Sequence, residues 1–399
     1  MLVGALVFSL AYYYFSSHGK SVDGLASKDI QSLVELNNKQ ANFDEMSDFF
    51  GEIAERKGGV YAFSLMKNGP LPFGLDQHLL GHTVGDILYE QEGIEGMGLC
   101  THDFRNACSH TMVIGSLIEY GESAMPQIRD ACHNAPGGKG AYTMCFHGLG
   151  HGVLAFNSYD MPKAIAMCQE FGTEEFNNRE AIECFGGTVM EIIGGGGHDR
   201  ENWEIRRDEY LQPNDPFGFC ERDMVPGEFR PMCYNYMTPY VFETLDADMG
   251  YPAPSVYEET FSLCAEIPKS DERERRECFG GLGKEFIGIA AGRNYVAGAA
   301  PTIGQLKTMY SWCMLAVPTD GQRYCLESTV NSLYWGGEQP VEIPLNYCGI
   351  VESENLRDSC YRNLIWNVGF YIEEVEYKEN FCSALPKEYR EVCEFEIGL

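Results

Sequence analysis

The sequence predicts an all-α fold: disulfide-stapled helical hairpins that recur along the chain and form a solenoid or a closed α/α array. Three observations predict it. The sixteen cysteines fall into couples at 100/108, 132/145, 168/184, 220/233, 264/278, 313/325, 348/360 and 382/393, with 8 to 16 residues within a couple and 22 to 36 between couples. Each couple sits in the same local context. Strand-like alternation is sparse throughout.

That context defines a unit. A proline able to open a helix precedes the first cysteine in "MPQIRDAC", "MPKAIAMC", "APSVYEETFSLC" and "APTIGQLKTMYSWC". Turn formers and a capping residue follow, as Ser270 or Asp271 in "CAEIPKSDERERREC". The second cysteine then leads into an aromatic residue and an apolar, small-residue stretch: "CFHGLGHGVLAF", "CFGGTVMEII", "CFGGLGKEFIGIA", "CYRNLIWNVGFYI". The unit reads as a helix ending in Cys, a short loop, and a second helix carrying the partner Cys in its early turns. A disulfide closing a loop of this size contributes roughly 2.5 to 3 kcal/mol in the chain-entropy picture. Phe146, Phe185, Tyr234, Phe279 and Tyr361 hold equivalent places after the second cysteine and read as core. The recurring glycines cost about 1 kcal/mol each in a helix, so they point to close approach between helices or to a bound group.

Along the chain, residues 1–20 carry an apolar run from Met1 to Phe15 that ends in Tyr12, Tyr13, Tyr14 and Phe15. The run is shorter than the roughly 20 residues of a spanning helix and lacks a basic leader, while its aromatic end suits a membrane interface. It reads as a membrane anchor or signal-anchor, with a cleaved signal peptide and a buried helix as the other readings. Residues 21–75 lack cysteine and read as a helical stalk or capping pair closed by the turn-rich "MKNGPLPFG". Residues 76–193 are the histidine-rich units, 194–219 an irregular insertion opened by Gly194 to Gly197, and 220–399 the C-terminal stapled units.

Composition narrows the function. The net charge of -30, from 59 acidic and 29 basic residues, repels phosphate backbones, so no nucleic-acid partner is expected. Eight disulfides need an oxidising compartment, which puts the chain at the outer face of a membrane or in secreted form, membrane-bound through its N-terminal segment. The absence of CxxC removes the usual zinc-finger, thioredoxin-like and c-type haem spacings. GGGG at 194–197 lacks the lysine of a phosphate loop, and no GxSxG occurs.

Seven of the nine histidines lie between 78 and 151: His78, His82, His102, His110, His133, His147 and His151. "HLLGH" (78–82) and "HGLGH" (147–151) share one pattern, and i, i+4 spacing puts both imidazoles on one helical face about 6 Å apart at Cβ. His110 follows Cys108 by two residues, as His147 follows Cys145, so the two are equivalent positions of adjacent units. His78, His82, His110, His147 and His151 are therefore the candidate metal ligands, with His102 or His133 as additions. Asp76, Asp86, Asp103, Glu119 and Glu191 are carboxylates that can join them.

Leu79 and Gly148 occupy the place of the zincin glutamate, which removes a zincin-type peptidase. An imidazole-rich set suits Cu, Fe or Zn over Ca or Mg, and three imidazoles per metal suit a coupled dicopper centre. Bis-histidine haem ligation is a lesser reading. The expected function is a transition-metal-binding protein, a redox metalloenzyme or oxygenase. The alternatives are a scaffold presenting a helical-repeat surface to a protein or peptide, and a metal carrier.

Overall fold

The structure is a computed structural model and describes residues 25–72, 75–101, 103–135, 138–195, 199–247, 252–290, 301–334 and 340–398. The N-terminal apolar run lies outside the described residues, and no helix among those described is long and apolar enough to cross a membrane. The described residues are helical without a named strand, apart from an isolated bridge between Gln212 and Asp215.

Residues 25–72 form three helices, α1 (Ser27–Asn38), α2 (Phe43–Lys57) and α3 (Gly59–Asn68). Asn42 opens α2 through a reciprocal cap with Glu45. Met46, Phe50, Ile53 and Ala54 of α2 share a core with Leu80 and Val84 of the next helix, so this segment packs as a cap on the histidine-bearing part. That helix is α4 (Gln77–Glu92), started by Asp76, whose carboxylate accepts from the Leu79 amide.

The stapled hairpins follow. A 3-10 segment (Gly93–Leu99) leads to Cys100 and into α5 (Asp103–Tyr120). Then come α6 (Met125–His133) with α7 (Gly138–Phe156), and α8 (Met161–Gln169) with α9 (Arg179–Gly194). After α10 (Arg200–Tyr210) the pattern resumes with α11 (Gly218–Glu221) and α12 (Arg230–Tyr236), α13 (Thr238–Thr244), then α14 (Pro254–Glu266) with α15 (Glu272–Ala290). The chain ends in α16 (Ile303–Cys313) with α17 (Thr319–Tyr334), α18 (Glu342–Gly349) with α19 (Glu354–Tyr371), and α20 (Val375–Ala384) with α21 (Lys387–Glu396). All eight expected couples are disulfides, with Cα separations of 5.4 to 5.7 Å. Pro126, Pro162 and Pro254 stand in the first turns of α6, α8 and α14, where a missing N–H costs nothing. Pro301 instead precedes Thr302, which caps α16 reciprocally with Gln305.

One segment differs from its sequence reading. The stretch read as an irregular insertion over 194–219 contains α10, because Asp199 caps the Asn202 amide and Trp203 buries its ring while its indole N–H reaches the Glu191 carbonyl. The charges that disguise it are exposed i, i+4 and i, i+3 pairs, Arg200 with Glu204 and Arg206 with Glu209.

The helices that carry second cysteines pack in succession: α5 on α7, α7 on α9, α9 on α12, α12 on α15, α15 on α17 and α17 on α19, which returns to touch α7. Buried Arg275 of α15 donates to the carbonyls of Cys264, Ala265 and Ile267 and pairs with Asp320 at 2.8 Å, closing the open end of α14. The tightest contact is α7 against α9. A methyl added at Gly150 would lie 1.9 Å from the Cys184 carbonyl oxygen, and one at Gly187 would lie 2.0 Å from that of His147. Gly187→Ala therefore destabilises the protein by about 3 kcal/mol, the upper range of overpacking. Gly194→Ala, at the open end of the same helix with nothing within 4 Å of the new methyl, leaves stability unchanged or raises it by up to about 1 kcal/mol. Urea midpoints of the two variants check this, and equal midpoints would contradict it.

Candidate metal centre

The site is assembled from three consecutive packed helices. Asp76 sets the start of α4, so His78 stands in its first turn and His82 one turn later on the same face. α5 lies between α4 and α7 and offers His110 from a position two residues beyond the Cys108 staple. α7 is buried on nearly all sides and carries His147 and His151. The glycine before each second histidine serves helix contact. A methyl at Gly150, which precedes His151, would meet the Cys184 carbonyl oxygen at 1.9 Å, and one at Gly81, which precedes His82, would meet Cβ of Ala107 at 2.7 Å; Gly148, next to His147, lies against the His110 ring, whose Cδ2 a methyl there would meet at 2.4 Å.

The five candidate histidines form one continuous cluster of rings. Centroids are 4.7 Å apart for His78 and His82, 5.4 and 5.6 Å from those two to His110, and 5.4 Å for His147 and His151. His110 in turn lies 5.9 Å from His147 and 6.3 Å from His151, and His82 is 6.2 Å from His151. Within the cluster His78, His82 and His110 bring one ligand nitrogen each to within 4.8 Å of one another, a group able to hold a metal ion.

Hydrogen bonds fix which nitrogen is bare. His78 Nδ1 lies 2.6 Å from the Phe104 carbonyl oxygen, which can only accept, so Nδ1 carries the proton and Nε2 the lone pair. That carbonyl is aimed by an unusual backbone: Phe104, Arg105 and Asn106 all take left-handed φ values of 59°, 55° and 62°. His82 Nε2 lies 3.2 Å from His78 Nε2 and, because that nitrogen is the acceptor, donates its N–H to it in the metal-free site. Two nitrogens bound to one tetrahedral first-row metal at about 2.0 to 2.1 Å stand roughly 3.3 Å apart, so this spacing matches one edge of such a site. His110 is 1% exposed, and neither ring nitrogen has a hydrogen-bond partner.

On the α7 side, His151 Nδ1 lies 3.1 Å from Oε2 of Glu191, whose Oε1 accepts from the Tyr159 hydroxyl at 2.9 Å. His151 Nε2 is buried without a partner. His147 Nδ1 stands 3.8 Å from Oε2 of Glu183, beyond hydrogen-bond range, and its ring lies 4.8 Å from that of Tyr236. Glu183 is paired with Arg179 at 2.6 Å, and Lys284 Nζ sits 3.7 Å from the centroid of the Tyr236 ring. Burial pushes the Lys284 ammonium down to about 8.

Burial pushes His78 down to about 4, against the opposing pull of the Asp76 carboxylate and the Phe104 hydrogen bond. His110 lies well below the usual histidine range through burial and then the His78 and His82 imidazoles, and His147 through burial, then His151 and Lys284. Neutral imidazoles with free lone pairs are the protonation state that a metal requires.

The other sequence candidates fall elsewhere. His133 is exposed and stacks on Tyr142 at 4.5 Å, and His102 lies outside the described residues. Asp76 caps α4, Asp103 binds Lys67 at 2.7 Å, and Glu119 accepts from the Tyr89 hydroxyl at 2.8 Å. Of the five carboxylates, Glu191 lies within hydrogen-bond distance of a clustered histidine, His151. Reading the sequence missed Glu183, Arg179, Tyr236 and Lys284. One signal was present: "ECFGG" occurs at both 183–187 and 277–281, and Glu277 also meets a polar neighbour, accepting from Asn235 at 2.8 Å.

No protein-family model, curated protein or solved structure matches this chain.

The depressed histidines make a pH prediction for the metal-free protein. Below their ordinary value of 6.5 the unfolded chain binds protons that the folded cluster refuses, so stability rises with pH between about 4 and 6.5 and is lost as pH falls through that window. His110→Gln removes one of the groups responsible. The difference in urea midpoint between parent and variant shifts against the parent as pH falls, and a difference constant from pH 7 to 4.5 would refute this.

Proposed function

We propose that this chain is a transition-metal-binding protein whose centre is held by His78, His82 and His110, with His147 and His151 at its flank, and that it works as a redox metalloenzyme or oxygenase. The observation that carries the reading is the 3.2 Å approach of two ε nitrogens, one of them bare, beside a buried imidazole without partners. A histidine kept for packing normally hydrogen-bonds both ring nitrogens to protein or water, so the state of His110 speaks against a purely structural cluster.

Three neutral imidazoles suit Cu, Fe or Zn. Three protein ligands leave a coordination position for a small molecule, the pattern of catalytic sites, whereas structural sites are closed by four. Such an ion supplies Lewis acidity or, for Cu and Fe, one-electron chemistry. The chain supplies the dry walls, the fixed tautomers of His78 and His151, and the Tyr236 ring against His147. A haem is a poorer fit, since axial imidazoles stand on opposite faces of a macrocycle and the bare nitrogens here are close neighbours. His110 and His147 are buried and His78, His82 and His151 partly so, which supports a retained ion over a carrier that releases its metal at the surface.

The wider reading follows from the staples and the packing. Eight disulfides support an oxidising compartment, with the N-terminal apolar run as the membrane anchor. Successive contact of the second-cysteine helices, and the return of α19 to α7, support hairpin repeats closed into an α/α array with the histidines on its first units.

Metal analysis tests the reading. The disulfide-intact protein is expected to retain Cu, Fe or Zn through desalting, and the His78→Ala/His82→Ala variant to lose it while keeping its helical circular dichroism. A folded parent that takes up none of the three ions after chelation and reloading would overturn the proposal.

A further inference from the structure

Resting on that reading, we infer that His110 is a bridging ligand and that the centre holds two metal ions, one on the His78/His82 side and one on the His147/His151 side. The argument starts from how terminal imidazole ligands are held. A histidine bound to one metal usually donates its other ring N–H to a carbonyl, carboxylate or water, which orients the ring. His78 does so to the Phe104 carbonyl at 2.6 Å, and His151 is arranged to do so with Glu191 at 3.1 Å. His110 has no such anchor on either nitrogen, although it is 1% exposed and pressed flat by Gly148.

Its position supplies the reason. α5 lies between α4 and α7, and the His110 ring touches both i, i+4 histidine pairs, which also meet each other where His82 lies 6.2 Å from His151. The His110 ring is 5.4 and 5.6 Å from the α4 pair and 5.9 and 6.3 Å from the α7 pair. An imidazole has two nitrogens on opposite edges, and a bridge uses both. The α7 side offers donor atoms that a second ion would have to draw together, since His78, His82 and His110 alone converge among the described residues: His151 Nε2 and His147 Nδ1 are buried without partners, and the Glu183 carboxylate, paired with Arg179, is 3.8 Å from His147 Nδ1. Bridging changes no oxidation state. Two metal–nitrogen bonds form at His110, its remaining N–H bond breaks, and the proton goes to solvent.

The test uses the full chain, stripped by chelation and reloaded with Cu(II) alone; among the described cysteines none is free to reduce it. Bound copper is counted by plasma mass spectrometry and its spin by doubly integrated EPR intensity. The expected result is two equivalents of copper whose EPR intensity falls far below the copper count, because an imidazolate couples the two spins. His147→Gln/His151→Gln is expected to hold one equivalent at full intensity, and His110→Gln to abolish the spin loss. A parent that binds one equivalent, or two with full independent intensity, overturns the bridge and leaves the three-histidine site standing. A parent that binds no copper, iron or zinc overturns both. Should His110→Gln fail to fold, the parent stoichiometry and the α7 double variant still decide.

Discussion

Contact of α7 with the helices on either side is the constraint on which the rest depends. α7 meets α5 through Gly148 lying against His110, and meets α9 through Gly150 lying against the Cys184 carbonyl. Helices this close bring side chains from three elements into one small volume, which is how imidazoles 73 residues apart in sequence, His78 and His151, share a cluster. The disulfides act on the same joint. Cys145 and Cys184 staple the early turns of α7 and α9 to their preceding helices, so His147, His151 and Glu183 sit within a few residues of a covalent anchor, as His110 does beside Cys108. A side chain one turn from such an anchor loses little further freedom when it is ordered, which favours a pre-formed site.

The electrostatics of this interior run against those of the surface. A chain of net charge -30 holds His78, His110 and His147 below the usual histidine range by burial, with Glu183 and Glu191 each tied to a neighbour, Arg179 or Tyr159. The buried polar atoms without partners concentrate there: His110 contributes two, and His147 and His151 one each. Each such atom costs on the order of 1 to 3 kcal/mol against a satisfied one, so the region is held together by packing and cross-links rather than by its own bonds. A metal ion that satisfies those lone pairs reverses the sign of that cost.

What could be read from the sequence follows from how local each interaction is. Disulfides of short span leave their trace as spaced couples, and i, i+4 histidines leave theirs as HxxGH, so the staples and the candidate ligands were legible. α10 was not, because its charged run hides the Asp199 cap and the single buried Trp203 that define it. Nor were Phe104 to Asn106: three consecutive residues with positive φ, none of them glycine, are imposed by the packed surroundings and have no compositional signature. Tyr236 and Lys284 reach His147 from α12 and α15, a meeting set by how the helices pack in succession. Of the carboxylates the sequence offers without singling one out by spacing, Asp103 pairs with Lys67 and Glu191 lies beside His151, a difference set by packing between elements.

On the proposed reading, the distribution of stability argues for an ion with a functional role over a structural one. Small metal domains fold on their metal because they lack a core, and there binding free energy is folding free energy. Here one large apolar core extends from Leu88 to Ile397 and every couple is cross-linked, so the fold has other supports and the metal-free protein can remain folded. A site carried by such a frame is free to keep an unfilled coordination position and buried, unsatisfied nitrogens that a marginal domain could not tolerate. The left-handed run that aims the Phe104 carbonyl at His78 fits the same logic. Local strain of this kind persists where the surroundings over-determine it, and its use here is to hold one imidazole in one tautomer.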